Sequence, residues 1–156
     1  MARPSKATPD TSESFVFEIG SSSMSYSFGL AHYRDDPSPY SEHPTLKIEA
    51  RCLHPARFAG RTAKISVLGD RRLASERRDR REFEDGPYGV GAVDVGRDRF
   101  TVLAALPVDA IWAMATLTAS GSVRHVVTHG PRPVRGKAMV RYITFEGSSF
   151  ELDDWA

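Results

Sequence analysis

Apolar and polar residues alternate with a period of two along several short stretches of this chain, which is typical of β-strands with one buried face. The clearest stretch is 45–53, where Leu46, Ile48, Ala50 and Cys52 share one face and charged residues occupy the other. The same pattern or strand-favouring composition marks eight stretches in all: 15–19, 24–30, 45–53, 62–69, 88–95, 100–106, 123–128 and 137–146.

The links between these stretches are mostly short and rich in turn-forming residues. Residues 20–23, Gly-Ser-Ser-Ser, predict a turn that makes a hairpin of 15–19 and 24–30. The 55–60 link is too short for a parallel crossover, so 45–53 and 62–69 are expected to pair antiparallel. Residues 96–98 predict a further hairpin.

One stretch, 107–117, has helical spacing of its apolar residues and a proline near its start. The chain is therefore predicted to be mainly β, an antiparallel β-sandwich or flattened barrel of about eight strands with one short helix. Its expected core consists of large residues inside the strands, namely Phe17, Ile48, Ile65, Val93, Val102, Leu103, Val127, Val140 and Ile143.

The domain organisation follows from where this patterning begins and where it is interrupted. Residues 1–13 are rich in Ser, Thr and Pro without an apolar pattern, so we expect a disordered N-terminal arm. Residues 14–156 should form a single β-rich domain, with a charged and mobile surface loop at 70–86.

Composition narrows the classes of partner. The formal net charge is only +1, so the overall balance gives no attraction to nucleic acid or to an anionic membrane. Cys52 is the single cysteine, which excludes an internal disulfide. No apolar run approaches the roughly 18–20 residues of a membrane span. These features lead us to expect a cytoplasmic protein that contacts no membrane.

The histidines and the cysteine are the first candidates for metal binding. His125 and His129 lie on one predicted strand, where a four-residue spacing separates them by about 13 Å, too far to share an ion. Cys52 and His54 share a strand face but lack further ligands nearby, and Cys52 is better interpreted as a small core residue. We predict neither a metal nor a cofactor.

The loop at 70–86 contains an arginine run that includes Arg77, Arg78, Arg80 and Arg81. Six acidic residues in the same loop cancel its six arginines, which favours a solvated loop with local ion pairs. Binding of nucleic acid through these arginines is retained as a rival hypothesis, because clustered arginines suit phosphate contacts.

The chain carries no nucleophile elbow and no cofactor fingerprint, so the preferred interpretation is a non-catalytic binding or assembly module. It would contact another protein, a second copy or a modest ligand through sheet edges and loops. A rival is a small hydrolase or transferase whose site forms only in three dimensions, from His125, His129, Asp94 and Arg141. The candidate contact residues are the four arginines with Tyr88 and Trp112, and Tyr26, Tyr33 and Tyr40 are further aromatic anchors.

Overall fold

The computed structural model describes residues 11–31, 38–71, 73 and 89–152. Its elements in chain order are β1 (Ser12–Leu30), β2 (Tyr40–His54), a 3₁₀ turn (Ala56–Phe58), β3 (Thr62–Gly69), β4 (Gly91–Val95), β5 (Arg99–Leu106), α1 (Val108–Ala119), β6 (Val123–Pro131), β7 (Lys137–Val140) and β8 (Tyr142–Gly147). A mainly β fold with a helix after Pro107 is confirmed. The predicted arm up to residue 10, and residues 72 and 74–86 of the charged loop, lie outside the described residues.

All eight strands belong to one sheet with the order β7-β4-β5-β3-β2-β1-β6-β8. Neighbouring strands are antiparallel except β3 and β5, which run parallel. The sheet is therefore mixed where an antiparallel sandwich or flattened barrel was predicted. The sandwich is not confirmed, and the strands form a single curled sheet resembling half a barrel. The parallel pair forms because the chain between β3 and β5 is long enough to cross over.

The curl is imposed by the two edge strands, which follow each other in the chain. Only Arg141 separates β7 from β8, yet these strands lie at opposite ends of the strand order. The backbone N–H of Arg141 donates to the carbonyl of His129 on β6 at 2.8 Å. A Cβ atom at Gly130 would collide with the Met139 carbonyl, so glycine permits this close approach.

The core fills the inner face of the curl. Four phenylalanines pack at one end, with the Phe100 ring 5.4 Å from Phe15 and Phe17 and 5.5 Å from Phe58. Helix α1 covers another part of this face by inserting Ile111, which is fully buried.

Leu103 was wrongly assigned to this core, because it is 49% exposed. The neighbours Val102 and Ala104 point inward, so alternation turns Leu103 outward. Ile143 packs partly buried against the core, and the other predicted core residues are buried as expected, namely Phe17, Ile48, Ile65, Val93, Val102, Val127 and Val140.

The predicted turn at 20–23 is also wrong. Residues 12–30 form one continuous strand of 19 residues, with a register shift between Ile19 and Ser21. Pairing with β2 continues on both sides of this shift, so Gly20 forms a bulge in a strand where the local sequence resembles a turn. The predicted antiparallel pairing of β2 with β3 and the β4–β5 hairpin are confirmed.

Phe100 and Leu103 provide a matched test of this core, since they are close neighbours on opposite faces of β5. Phe100→Ala should lower the free energy of unfolding by about 3–5 kcal/mol, because it leaves a cavity among three other rings. Leu103→Ala should cost about 0.5 kcal/mol or less. Urea denaturation measures both, and equal losses would show that the strand faces are misassigned.

Candidate functional site

The far ends of β1 and β2 extend beyond the rest of the sheet as a two-stranded segment. β6 pairs with β1 only as far as Glu18, and β3 pairs with β2 only as far as Thr45. Beyond these points residues 26–30 pair with residues 40–44, and the end of this segment has no third strand beside it within the described ranges. We call residues 24–30 and 40–44 the ribbon.

One face of the ribbon is apolar and open to solvent except for Glu42, which stands opposite Phe28. Residues directly opposite each other in an antiparallel pair share a face, so Leu30 and Tyr40 lie on the same side as Phe28. The Phe28 and Tyr40 rings stack with centroids 5.4 Å apart. Four side chains on this face are half or more exposed: Tyr26 (50%), Phe28 (61%), Leu30 (70%) and Tyr40 (50%).

This apolar face continues the core face of the sheet. Met24 pairs with Leu46, which is buried, and the ribbon residues follow at alternate positions. Trp112 of α1 marks where the covered part ends, with its ring centroid 5.7 Å from that of Tyr26. The Tyr26 hydroxyl donates to Glu42 Oε2 at 3.2 Å, and desolvation together with this carboxylate raises the pKa of Tyr26.

The outer edge of β1 is open and carries no charge. The sequence from 19 to 30 contains no Asp, Glu, Lys or Arg, although 26% of the whole chain is charged. Proteins usually protect exposed strand edges with charges, prolines or bulges. Past the bulge at Gly20 this edge has none of these. In the described part of the chain, no strand pairs with it.

The structure locates one of the six predicted contact residues. Trp112 is half exposed and lies at the base of the ribbon. Arg77, Arg78, Arg80, Arg81 and Tyr88 lie outside the described residues, as does Tyr33. Sequence reasoning included Tyr26 and Tyr40 among the aromatic anchors and missed Phe28 and Leu30, which look like ordinary buried strand residues.

The four side chains of the enzyme hypothesis take different partners. His129 Nδ1 lies 2.8 Å from Ser14 Oγ, and the His125 ring lies 4.8 Å from that of Phe150. Asp94 stands opposite Lys137 in the sheet, and Arg141 is exposed between β7 and β8. Within the described ranges, no hydrogen bond or ion pair between side chains joins any two of these four residues.

A polar cleft of about 680 Å³ lies beside His125, where β6 and β1 diverge. Glu18 stands opposite His125 in the strand pairing, and Ser21 and Ser22 continue the wall. Nδ1 of His125 is buried and has no hydrogen-bond partner among the described residues. The cleft brings a carboxylate and an imidazole to one wall, and the Glu18–His125 pairing is not evident from local sequence.

Cys52 is a core residue, as interpreted from its position in the alternating pattern. Its thiol donates to the His54 carbonyl at 3.2 Å. Burial raises the pKa of the Cys52 thiol to about 11. Among the residues that the structure describes, no three His, Cys, Asp or Glu side chains are grouped as metal ligands would need to be.

No protein-family model, curated protein or solved structure matches this chain. No helix in the described ranges has the length and apolar composition needed to cross a membrane. The function therefore has to be inferred from the chain's own residues and their geometry.

The raised pKa of Cys52 leads to a pH-dependent difference in stability. Between pH 9 and about 11 the thiol ionises in the unfolded chain and stays neutral in the folded one, which favours unfolding. Wild type should therefore lose free energy of unfolding over this range relative to Cys52→Ala. Urea denaturation at several pH values measures the gap, and a gap that is the same at pH 8 and pH 11 would contradict this assignment.

Proposed function

We propose that this protein is a non-catalytic assembly module that joins a second polypeptide along the open edge of β1. The observation that carries the proposal is an exposed strand edge without charges, bordered by an apolar face that is open to solvent. A partner strand added to this edge would pair the free backbone groups, and its side chains would extend the apolar face.

The partner strand that suits this edge alternates large apolar with small residues and has no charges. The same stretch of a second copy meets this description. A two-fold axis at Ser25 would place Met24 of one copy opposite Tyr26 of the other. That register keeps the apolar residues of both copies on one face, as an isologous contact requires.

The apolar face supplies a reason for association besides backbone pairing. Tyr26, Phe28, Leu30 and Tyr40 together form a contiguous exposed apolar surface, and such surfaces on folded proteins commonly mark interaction sites. Aromatic side chains are frequent energetic anchors of protein interfaces, which favours a partner polypeptide over a small polar ligand.

Charge introduced at the axis tests this proposal. Ser25→Lys would place two ammonium groups side by side in the dimer, and like charges across strands cost up to about 1 kcal/mol, roughly a fivefold rise in the dimer Kd. Ser25→Glu should weaken self-association in the same way. Mixing the two variants should restore it, because each lysine then faces a glutamate. Sedimentation equilibrium over a concentration series measures the dimer Kd of wild type, of the two variants and of their mixture.

The control is Thr101→Lys, which adds the same charge on an exposed position of β5 in the middle of the sheet. It should leave the dimer Kd unchanged. A wild-type protein that remains monomeric up to millimolar concentration would contradict self-assembly. Equal effects of Thr101→Lys and Ser25→Lys, or no recovery in the mixture, would contradict the proposed edge.

A further inference from the structure

The end of the curled sheet opposite the ribbon holds a groove lined by arginines. Glu13, which pairs with Arg57 of this groove, lies near the start of β1, whereas the ribbon ends at Leu30 at the other end of the strand. The groove is therefore separate from the ribbon. Its volume is about 480 Å³, and it is lined by Arg57, Phe58, Val95, Arg132, Pro133 and Gly136. We call this site the mouth.

Two guanidinium groups lie over the ring of Phe58, which lines the mouth together with Arg57. The carbon centres of the Arg57 and Arg61 guanidiniums lie 4.6 Å and 4.8 Å from the ring centroid, within the range of cation–π attraction. Phe58 itself packs edge-on against the buried Phe100 at 5.5 Å. Arg61 also donates to the Gly96 carbonyl at 3.1 Å. The core therefore holds these cations in place before any ligand binds.

Arg132 is a further cation that lines the mouth. Its backbone N–H donates to the Thr11 carbonyl at 2.7 Å, which fixes the chain as it leaves β6. Its side chain is exposed and makes no hydrogen bond or ion pair with any described residue. A guanidinium in this position is available to a ligand.

The turn beside Arg132 carries another arginine in an unfavourable backbone conformation. Arg135 has φ 53° and Gly136 has φ 80°, and Val134 and Lys137 exchange backbone hydrogen bonds across them. A left-handed conformation is unfavourable for a non-glycine residue, and asparagine or glycine is the usual choice here. Strain of this kind is concentrated at functional positions.

The mouth already contains one ion pair between a carboxylate and an arginine. Glu13 is largely buried and pairs with Arg57, while its Oε2 has no partner within the described ranges. The Arg57 guanidinium therefore already binds an oxyanion, the Glu13 carboxylate. The surrounding segments are 11–14, 55–61, 95–99 and 131–136. Their acidic residues are Glu13 and Asp98, and their arginines are Arg57, Arg61, Arg97, Arg99, Arg132 and Arg135.

We propose that the mouth binds the phosphate group of a small phosphorylated ligand, with Arg132 and Arg57 as its main contacts. Guanidinium groups match phosphate oxygens with two parallel hydrogen bonds, which a lysine ammonium cannot do. Among the described residues, Glu13 contacts Arg57 through Nη2, which leaves the other guanidinium nitrogens of Arg57 for a phosphate. Free phosphate and an organic phosphate ester share this chemistry, and the groove has room for an organic group beside the phosphate.

Isothermal titration calorimetry of the full chain with inorganic pyrophosphate at low salt tests the site. Arg132→Gln should raise the Kd at least about tenfold, because it removes a charge-assisted contact worth about 1.5–3 kcal/mol. Glu13→Gln should lower the Kd, because it removes the carboxylate that competes for Arg57. These opposite signs would not arise from a general loss of structure, which circular dichroism checks independently.

The matched control is Arg124→Gln. Arg124 is exposed near the start of β6, about 23 Å from the end of that strand, where Arg132 follows. Replacing Arg124 should leave the Kd for pyrophosphate unchanged. Phosphate, a sugar phosphate and citrate are titrated in parallel. Tighter binding of the sugar phosphate than of phosphate indicates an organic ester, and the reverse order indicates free phosphate.

Several results would overturn the proposal. One is that no phosphate compound binds at concentrations up to the order of 10 mM. The others are that Arg124→Gln and Arg132→Gln raise the Kd equally, or that citrate binds as tightly as pyrophosphate. A short oligonucleotide that binds far more tightly than pyrophosphate, with a steep fall in affinity as salt rises, would replace the small ligand by nucleic acid.

Discussion

The single residue between β7 and β8 is the constraint on which the rest of the structure depends. These strands stand at opposite ends of an eight-stranded order, and Arg141 alone links them in the chain. The sheet must therefore curl until its edges approach, and Gly130 leaves the space that this approach requires. The curl encloses one apolar face, which explains why one sheet can form a core without a second sheet packed against it.

The apolar inner face of β1 and β2 extends farther along these strands than the helix and the neighbouring strands that cover it. β3 and β5 each have 8 residues and β6 has 9, whereas β1 has 19 and β2 has 15. The four phenylalanines and Ile111 of α1 fill the enclosed part. Beyond the contact between Trp112 and Tyr26 the alternation continues, but nothing in the described part of the chain covers it. The ribbon is therefore core-like in composition and surface-like in exposure.

The two ends of β1 differ in chemistry. At the ribbon end β1 itself is uncharged, whereas the other end is bordered by arginines from three separate segments, 57–61, 97–99 and 132–135. The overall charge of +1 conceals this difference, because acidic residues elsewhere balance the arginines. Net charge alone is therefore a poor guide to what such a small domain contacts.

Local alternation was sufficient to predict the strands whose two faces differ clearly. In β2, Leu46, Ile48 and Ala50 alternate with charged residues, and both the strand and its buried face were predicted. In β5 the run from Val102 to Leu106 is apolar on both faces, so local alternation does not indicate that Leu103 points outward.

Features that depend on distant parts of the chain could not be predicted in this way. Gly20 and the serines after it have turn-like composition, and only pairing with β2 keeps them in a strand. The parallel pairing of β3 with β5 likewise has no local signature. Arg57 and Arg132 are brought together by the curl. The exposure of Phe28 follows from strand lengths, which alternation does not encode.

Hydrogen exchange of the backbone amides in residues 19–30 tests the central claim, that the outer edge of β1 is an interface, most directly. Amides that point toward β2 are hydrogen-bonded in either case, whereas those that point outward depend on a partner strand. If the edge is paired in the assembly, the outward amides should exchange slowly at high protein concentration and fast after dilution. Fast exchange of the outward amides at every concentration, with the inward amides protected throughout, would contradict the claim.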